Sequence, residues 1–229
     1  MAKLLKLLVV AAWEPELVRL REHVDAAVPA EVELVLETLG VGIVEASLGM
    51  TRCVVRHAPE LALLLGTAGA LPRTGAPRVG EVVAASRVRL VDAGVLAGTS
   101  QLPAPMPSEA ALDLAIHDAL VGAGARSVQI ANTVGITVDD DQASRMAIAG
   151  SEDVEHLEAF AFARACASAA VPCGIVLGIA NVVGARGRPE WFANHASASA
   201  RAADVAWAAL AALAALVRTS TRGPSRGPA

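Results

Sequence analysis

Three carboxylates and one amide stand where side chains could do chemistry. Glu16 comes just after the apolar run Leu4–Ala12, at the head of a segment with near-helical spacing. A carboxylate there can act as a general base toward water; the plainer alternative is a solvated first-turn glutamate favoured by the helix dipole. Glu158 lies in VEHLEAFAFARAC (154–166) among hydrophobes, where a buried carboxylate must find hydrogen-bond donors or turn neutral. Glu155, three residues earlier, is its rival for the inward position, and His156 between them reads as a surface-facing helix residue. Asn181 ends the apolar run Cys173–Ala180, the place where open α/β sheets carry ligand groups. Its amide can donate and accept at once, or merely cap a loop. Thr67–Ala68–Gly69 offers a hydroxyl and free N–H groups, although an ordinary strand-to-helix turn has the same composition.

These residues need elements to hold them, and the chain supplies alternating strands and helices. Leu4–Ala12 is a strand buried on both faces, and Pro15 suits the first turn of the helix that follows. Val32–Leu36 is a short strand, Ile43–His57 a helix after a GVG turn, and Glu60–Gly66 a strand ending in the turn GTAGALP. Val79–Leu90 is extended, Ala110–Val121 helical, Ser127–Thr133 a strand, Val154–Ala170 a helix, Cys173–Ala180 a strand and Pro189–Val217 a closing helix. The segments 91–108 and 181–189 are the longest irregular stretches, of the kind that often carries function.

Composition removes several classes of function. The net charge of −4 and pI near 5.7 give no basic surface for nucleic acid or anionic membrane. Mean hydropathy is high at +0.50, yet the longest apolar run, Val205–Val217, has 13 residues. A membrane span needs roughly 20, so this is a packed helix. The N-terminal run lacks a signal-peptide cleavage site. Cys53, Cys166 and Cys173 have no metal-binding spacing and read as reduced thiols of a cytoplasmic protein. The expectation is one domain over 1–217 and a disordered tail over 218–229, with no metal and no organic cofactor.

Four ordered segments carry a resemblance: VVAAWEPEL (9–17), LGVGIVEASLGMTR (39–52), LLLGTAGALP (63–72) with VGEVV (79–83), and VEHLEAFAFARAC (154–166) with GIVLGIANVVGARGRPEW (174–191). Together they resemble the nucleoside phosphorylase/nucleosidase superfamily, and within it the family containing methylthioadenosine/S-adenosylhomocysteine nucleosidase and futalosine hydrolase. The resemblance implies a three-layer α/β/α fold around a central mixed, partly barrel-like sheet. It also implies a nucleoside substrate and a homo-oligomer. It assigns Glu16 to water activation, Glu158 to the ribose hydroxyls and Asn181 to the departing base. Thr67, Ala68 and Gly69 would lie beside the sugar, Leu157 would make an apolar sugar contact, and Thr137 and Val138 would flank the base. Trp13 and Trp191 would line the 5′ side, or simply pack.

Departures from the pattern bear on the reaction. Adenosine-specific members carry Asp where this chain has Asn181, and an amide suits a 6-oxopurine such as the hypoxanthine of futalosine. Leu177 replaces an Arg expected four residues before Asn181, which leaves the positioning of Glu16 open. Leu64 stands where phosphorylases carry a phosphate-binding Arg, so hydrolysis is expected over phosphorolysis, with Arg52 the one residue favouring the latter. The rival expectations are an adenosine-type nucleosidase, a phosphorylase, and a nucleoside-binding paralogue without turnover.

Overall fold

The computed structural model describes residues 4–26 and 28–220. β1 (Leu5–Ala11) leads through a 3₁₀ turn (Glu14–Leu17) into α1 (Val18–Ala26), followed by β2 (Val32–Thr38) and α2 (Ile43–His57). Next come β3 (Leu61–Ala70), β4 (Val82–Leu90), α3 (Ala93–Leu96), β5 (Glu109–Ala111) and α4 (Leu114–Gly122). β6 (Arg126–Asn132), α5 (Asp140–Ala149), β7 (Val154–His156), α6 (Ala159–Ser168), β8 (Cys173–Val182) and α7 (Gly187–Ser220) complete the order. The strands form one mixed sheet in the order β2-β1-β3-β7-β6-β4-β5, and β8 pairs with both β3 and β4. That double pairing closes β3, β8, β4, β6 and β7 into a barrel-like ring.

Alternation along the strands explains the three layers. Successive side chains of a strand point to opposite faces, and here both faces are apolar. Leu8, Val10, Leu64, Ile175 and Leu177 pack with Met50 of α2 and Phe162 of α6. Leu7, Val9, Leu63, Leu65 and Val176 pack on the other face with Leu20 of α1, Ile116 of α4 and Leu210 of α7. A sheet covered on both sides has near-continuous hydrophobic strands, which accounts for the high mean hydropathy.

By length and composition α7 could cross a bilayer, but its Ala198, Ala202, Ala203, Ala206 and Leu213 are buried in the fold. The small residues let helix and sheet come close. A Cβ on Gly178 of β8 would stand 2.0 Å from the Ala198 carbonyl oxygen, and that atom belongs to backbone that cannot swing aside. Gly178→Ala should therefore destabilise the protein by about 3 kcal/mol or more, read as a drop in the denaturant midpoint.

The structure revises several expectations. The segment 154–170 is not one helix: Val154–His156 is a strand paired with β3 and β6, and α6 starts at Ala159. GTAGALP is not a turn after β3, because the strand continues through Ala70 with an irregularity between Ala68 and Gly69. Residues 109–111 form β5 against β4, so the helix expected from Ala110 starts at Leu114. The irregular stretch expected over 181–189 shrinks to the few residues between β8 and α7. The helix over Ile43–His57 is where the sequence places it. Of the tail expected to be disordered, 218–220 continue α7, and 221–229 lie outside the described residues.

Candidate active site

Pro15 is the second residue of the 3₁₀ turn that follows β1, and this turn carries Glu16 back over the end of the sheet. Glu16 is buried. Its carboxylate packs on Gly66 of β3, where a Cβ would lie 3.0 Å from Oε1 and 3.2 Å from Oε2. The next residue, Thr67, donates its hydroxyl to Glu16 Oε1 at 3.0 Å. Burial pushes the Glu16 carboxyl up to about 7; the Thr67 hydroxyl bond is the strongest influence holding it down, and the nearby charge of Glu158 raises it further. A carboxyl that changes charge near neutrality is suited to general-base work.

Glu158 is the N-cap residue of α6 rather than a residue inside a helix. Its Oε1 accepts the Gly42 N–H at 2.6 Å, and Gly42 is the N-cap residue of α2, with φ of +88°. Two helix N-termini thus converge on this carboxylate, where negative charge is favoured. The turn before it is tied by side chains: His156 Nδ1 accepts the N–H groups of both Glu158 and Ala159 at 3.1 Å. Asn132, at the end of β6, donates to the Leu157 carbonyl at 3.1 Å and accepts the Phe160 N–H at 2.8 Å. These bonds satisfy the donors that a helix start leaves open.

His156 is therefore buried, not surface-facing. Its Nδ1 lies 3.4 Å from Glu158 Oε2, but burial lowers its pKa and its Nδ1 lone pair already serves two N–H groups. The contact is not an ion pair. Glu155 accepts the hydroxyls of Thr133 (3.2 Å) and Thr137 (2.5 Å) and holds the loop after β6. Burial raises its pKa, against those hydrogen bonds.

Asn181 lies opposite Gly69 in the β3–β8 register. Its Nδ2 donates to the Val182 carbonyl at 3.0 Å, and the absent side chains of Gly69 and Gly187 leave room for it, since a Cβ on either would meet Nδ2 at 2.9 or 3.0 Å. Ala68 is buried beside Ile179 of β8. Leu157 is half-buried beside Glu158, and Val138 is exposed on the loop that Thr137 anchors. Trp13 is 42% exposed, with its ring centroid 6.0 Å from that of Trp191, which in turn stacks on His195 at 4.4 Å. The structure thus brings Glu16, Thr67, Glu158, Gly69 and Asn181 to one end of the barrel, where β3, β7 and β8 meet. Three supporting residues were missed in the sequence: Gly66, Asn132 and the capping role of His156. Asn132 had a legible signal, a polar residue ending an apolar strand.

No family model matches the chain. Over 182 residues it is 32% identical to futalosine hydrolase of Thermus thermophilus, a match covering 73% of this chain and 77% of that protein. The chain belongs to the futalosine hydrolase family. Solved structures of that wider fold superpose on it closely. A Helicobacter pylori 5′-methylthioadenosine/S-adenosylhomocysteine nucleosidase matches with a TM-score of 0.83 at 12% identity, covering 92% of this chain and 99% of the other. A futalosine hydrolase mutant from the same organism gives 0.82 at 13%, covering 91% and 99%. The nucleosidase of Neisseria meningitidis gives 0.77 at 22%, covering 92% and 100%. At these identities the likeness is one of fold, and it agrees with the three-layer, partly barrel-like architecture described above.

Proposed function

We propose that this family member hydrolyses the N-glycosidic bond of futalosine, releasing hypoxanthine and the remaining sugar in menaquinone biosynthesis. The observation that carries the reading is the buried Glu16 carboxyl, titrating near 7 against the Thr67 hydroxyl, in a chain 32% identical to a futalosine hydrolase. Glu16 takes a proton from the water that attacks the anomeric carbon. Glu158, held by the Gly42 N–H through Oε1, offers Oε2 to the ribose hydroxyls. Asn181 meets the base, whose N7 and O6 need an acceptor and donors as charge develops on it. Thr67, Ala68, Gly69, Leu157, Thr137, Val138 and Trp13 complete the surroundings of the nucleoside, and the chemistry calls on no cofactor.

Two observations favour water over phosphate as the nucleophile. Leu64 is fully buried among aliphatic side chains, so that position offers no phosphate ligand. Arg52 is exposed on α2, ten residues beyond Gly42, and at 1.5 Å per residue it lies roughly 15 Å along the helix from Glu158's donor. Base release should therefore be independent of phosphate concentration and yield the free sugar. A rate that starts at zero and saturates with phosphate, with a sugar 1-phosphate as product, would overturn the assignment. Chromatography of released base across a nucleoside panel, with and without phosphate, tests both substrate and nucleophile.

The reading extends to a soluble cytoplasmic homo-oligomer. Cys53, Cys166 and Cys173 are buried free thiols. Val44, Leu48 and Val55 form an exposed apolar stripe on α2 at spacings of four and seven, a face suited to a second copy.

A further inference from the structure

Gly66, the residue on which the Glu16 carboxylate packs, is in register with Leu177 of β8. Leu177 is fully buried, so the strand beside Glu16 supplies no cation. Beside backbone hydrogen bonds at Trp13 and Thr67, one line of support for Glu16 runs outward through β3 to α7. Trp191 Nε1 lies 3.1 Å from Thr67 Oγ1, and Thr67 Oγ1 lies 3.0 Å from Glu16 Oε1. An indole N–H only donates, whereas a hydroxyl has one proton and two lone pairs. Thr67 must then accept from Trp191, and its single proton is left for Glu16. Donating into a hydroxyl also polarises it and strengthens the bond it makes in turn.

We propose that Trp191 is a positioning residue for hydrolysis: acting through Thr67, it sets the direction and strength of the hydroxyl donor that keeps Glu16 ready to activate water. It does so where Leu177 leaves no cation for the task. The inference rests on the reading of Glu16 as the base. The indole is itself braced, stacked on His195 at 4.4 Å and edge-on to Phe192 at 5.3 Å. The other titratable groups around Glu16 are few. Glu158 faces it from the start of α6, with His156 behind; His195 stacks on Trp191 and lies 5.7 Å from Trp13; and Glu14 turns outward to Arg21 at 2.8 Å.

The test is the pH profile of base release from futalosine. Trp191→Phe keeps a ring in place and removes the donor. The acid limb of kcat should move to higher pH by roughly half a unit. Thr67→Val should move the limb further, and Thr67→Ser should keep it where the parent has it. Trp191→Phe added to Thr67→Val should cause no additional shift, because the indole acts only through the hydroxyl. His195→Gln should leave the limb in place. An unmoved limb in Trp191→Phe, or shifts that simply add in the double variant, would overturn the proposal. So would a loss of kcat that is uniform in pH, which is the mark of a packing role. If Trp191→Phe does not fold, Trp191→Leu, which likewise carries no donor, runs the same test. A Glu16→Gln enzyme with full turnover would instead sink the reading of the base, and the two failures are distinguishable.

Discussion

Replacing Glu16 with glutamine should lower turnover by roughly 10²–10⁴-fold in a protein that remains folded. Glutamine keeps the size of the side chain and an oxygen for the Thr67 hydroxyl, so the packing on Gly66 and the bond to Thr67 persist while the base is lost. The pH dependence follows the same group. The parent's activity should fall on the acid side through about 7, as Glu16 takes up its proton, and that limb should be missing from the residual rate of the variant. Stability should move oppositely. A buried carboxyl whose folded pKa lies above its unfolded value holds its proton more tightly when folded, so stability is lost as pH rises from the unfolded pKa through the folded one. Glu16→Gln removes that loss, and above pH 7 its melting temperature should equal or exceed the parent's. Steady-state kinetics with thermal melts at pH 5 and pH 8 checks both statements. Full turnover in the variant would mean that the water is activated by another group.

Asn181→Asp should invert the preference for the base. The substitution is isosteric, so it fits the space left by Gly69 and Gly187. The amide now gives one N–H to the Val182 carbonyl at 3.0 Å, leaving the second N–H and the oxygen for a 6-oxopurine. A carboxylate in the same place would face both that carbonyl and the purine O6, and both repel it. With an adenine base only the Val182 carbonyl remains beside the new group, and that oxygen favours the protonated acid, which is what an adenine leaving group needs at N7. The ratio of activity on futalosine and inosine to that on methylthioadenosine should fall by about 10²-fold or more, since an unmet polar match can cost that much discrimination. Competition kinetics on the three nucleosides reads it. An unchanged ratio would show that Asn181 does not contact the base.

Much of this protein was legible in order and composition alone. The fully apolar strands, the alternating helices and the ends of α2 follow from local rules: both faces of the sheet are covered, and Gly40 and Gly42 break the chain before Ile43 with φ of +97° and +88°. The ordered motifs named the superfamily because they recur at set spacings. Local pattern failed at VEHLE. Hydrophobic spacing over so few residues does not separate a strand from a helix, and Val154–His156 is a strand only because β3 and β6 flank it across more than 80 and 20 residues of chain.

From that one pairing the different surroundings of the two glutamates follow. As strand and turn rather than helix, Glu155 points to the loop after β6 and Glu158 to the start of α2, and His156 becomes a buried cap. The GTAGALP segment failed for the same reason, since Gly69 and Ala70 look like turn residues until β7 and β8 pair with them. The support of Glu16 was out of reach of any local reading. Thr67 and Trp191 are 124 residues apart, and a hydrogen bond between side chains so distant leaves no period or spacing in the sequence. Residue type says what each group can donate or accept; only the closed sheet, by bringing β3 under the first turn of α7, decides which groups meet.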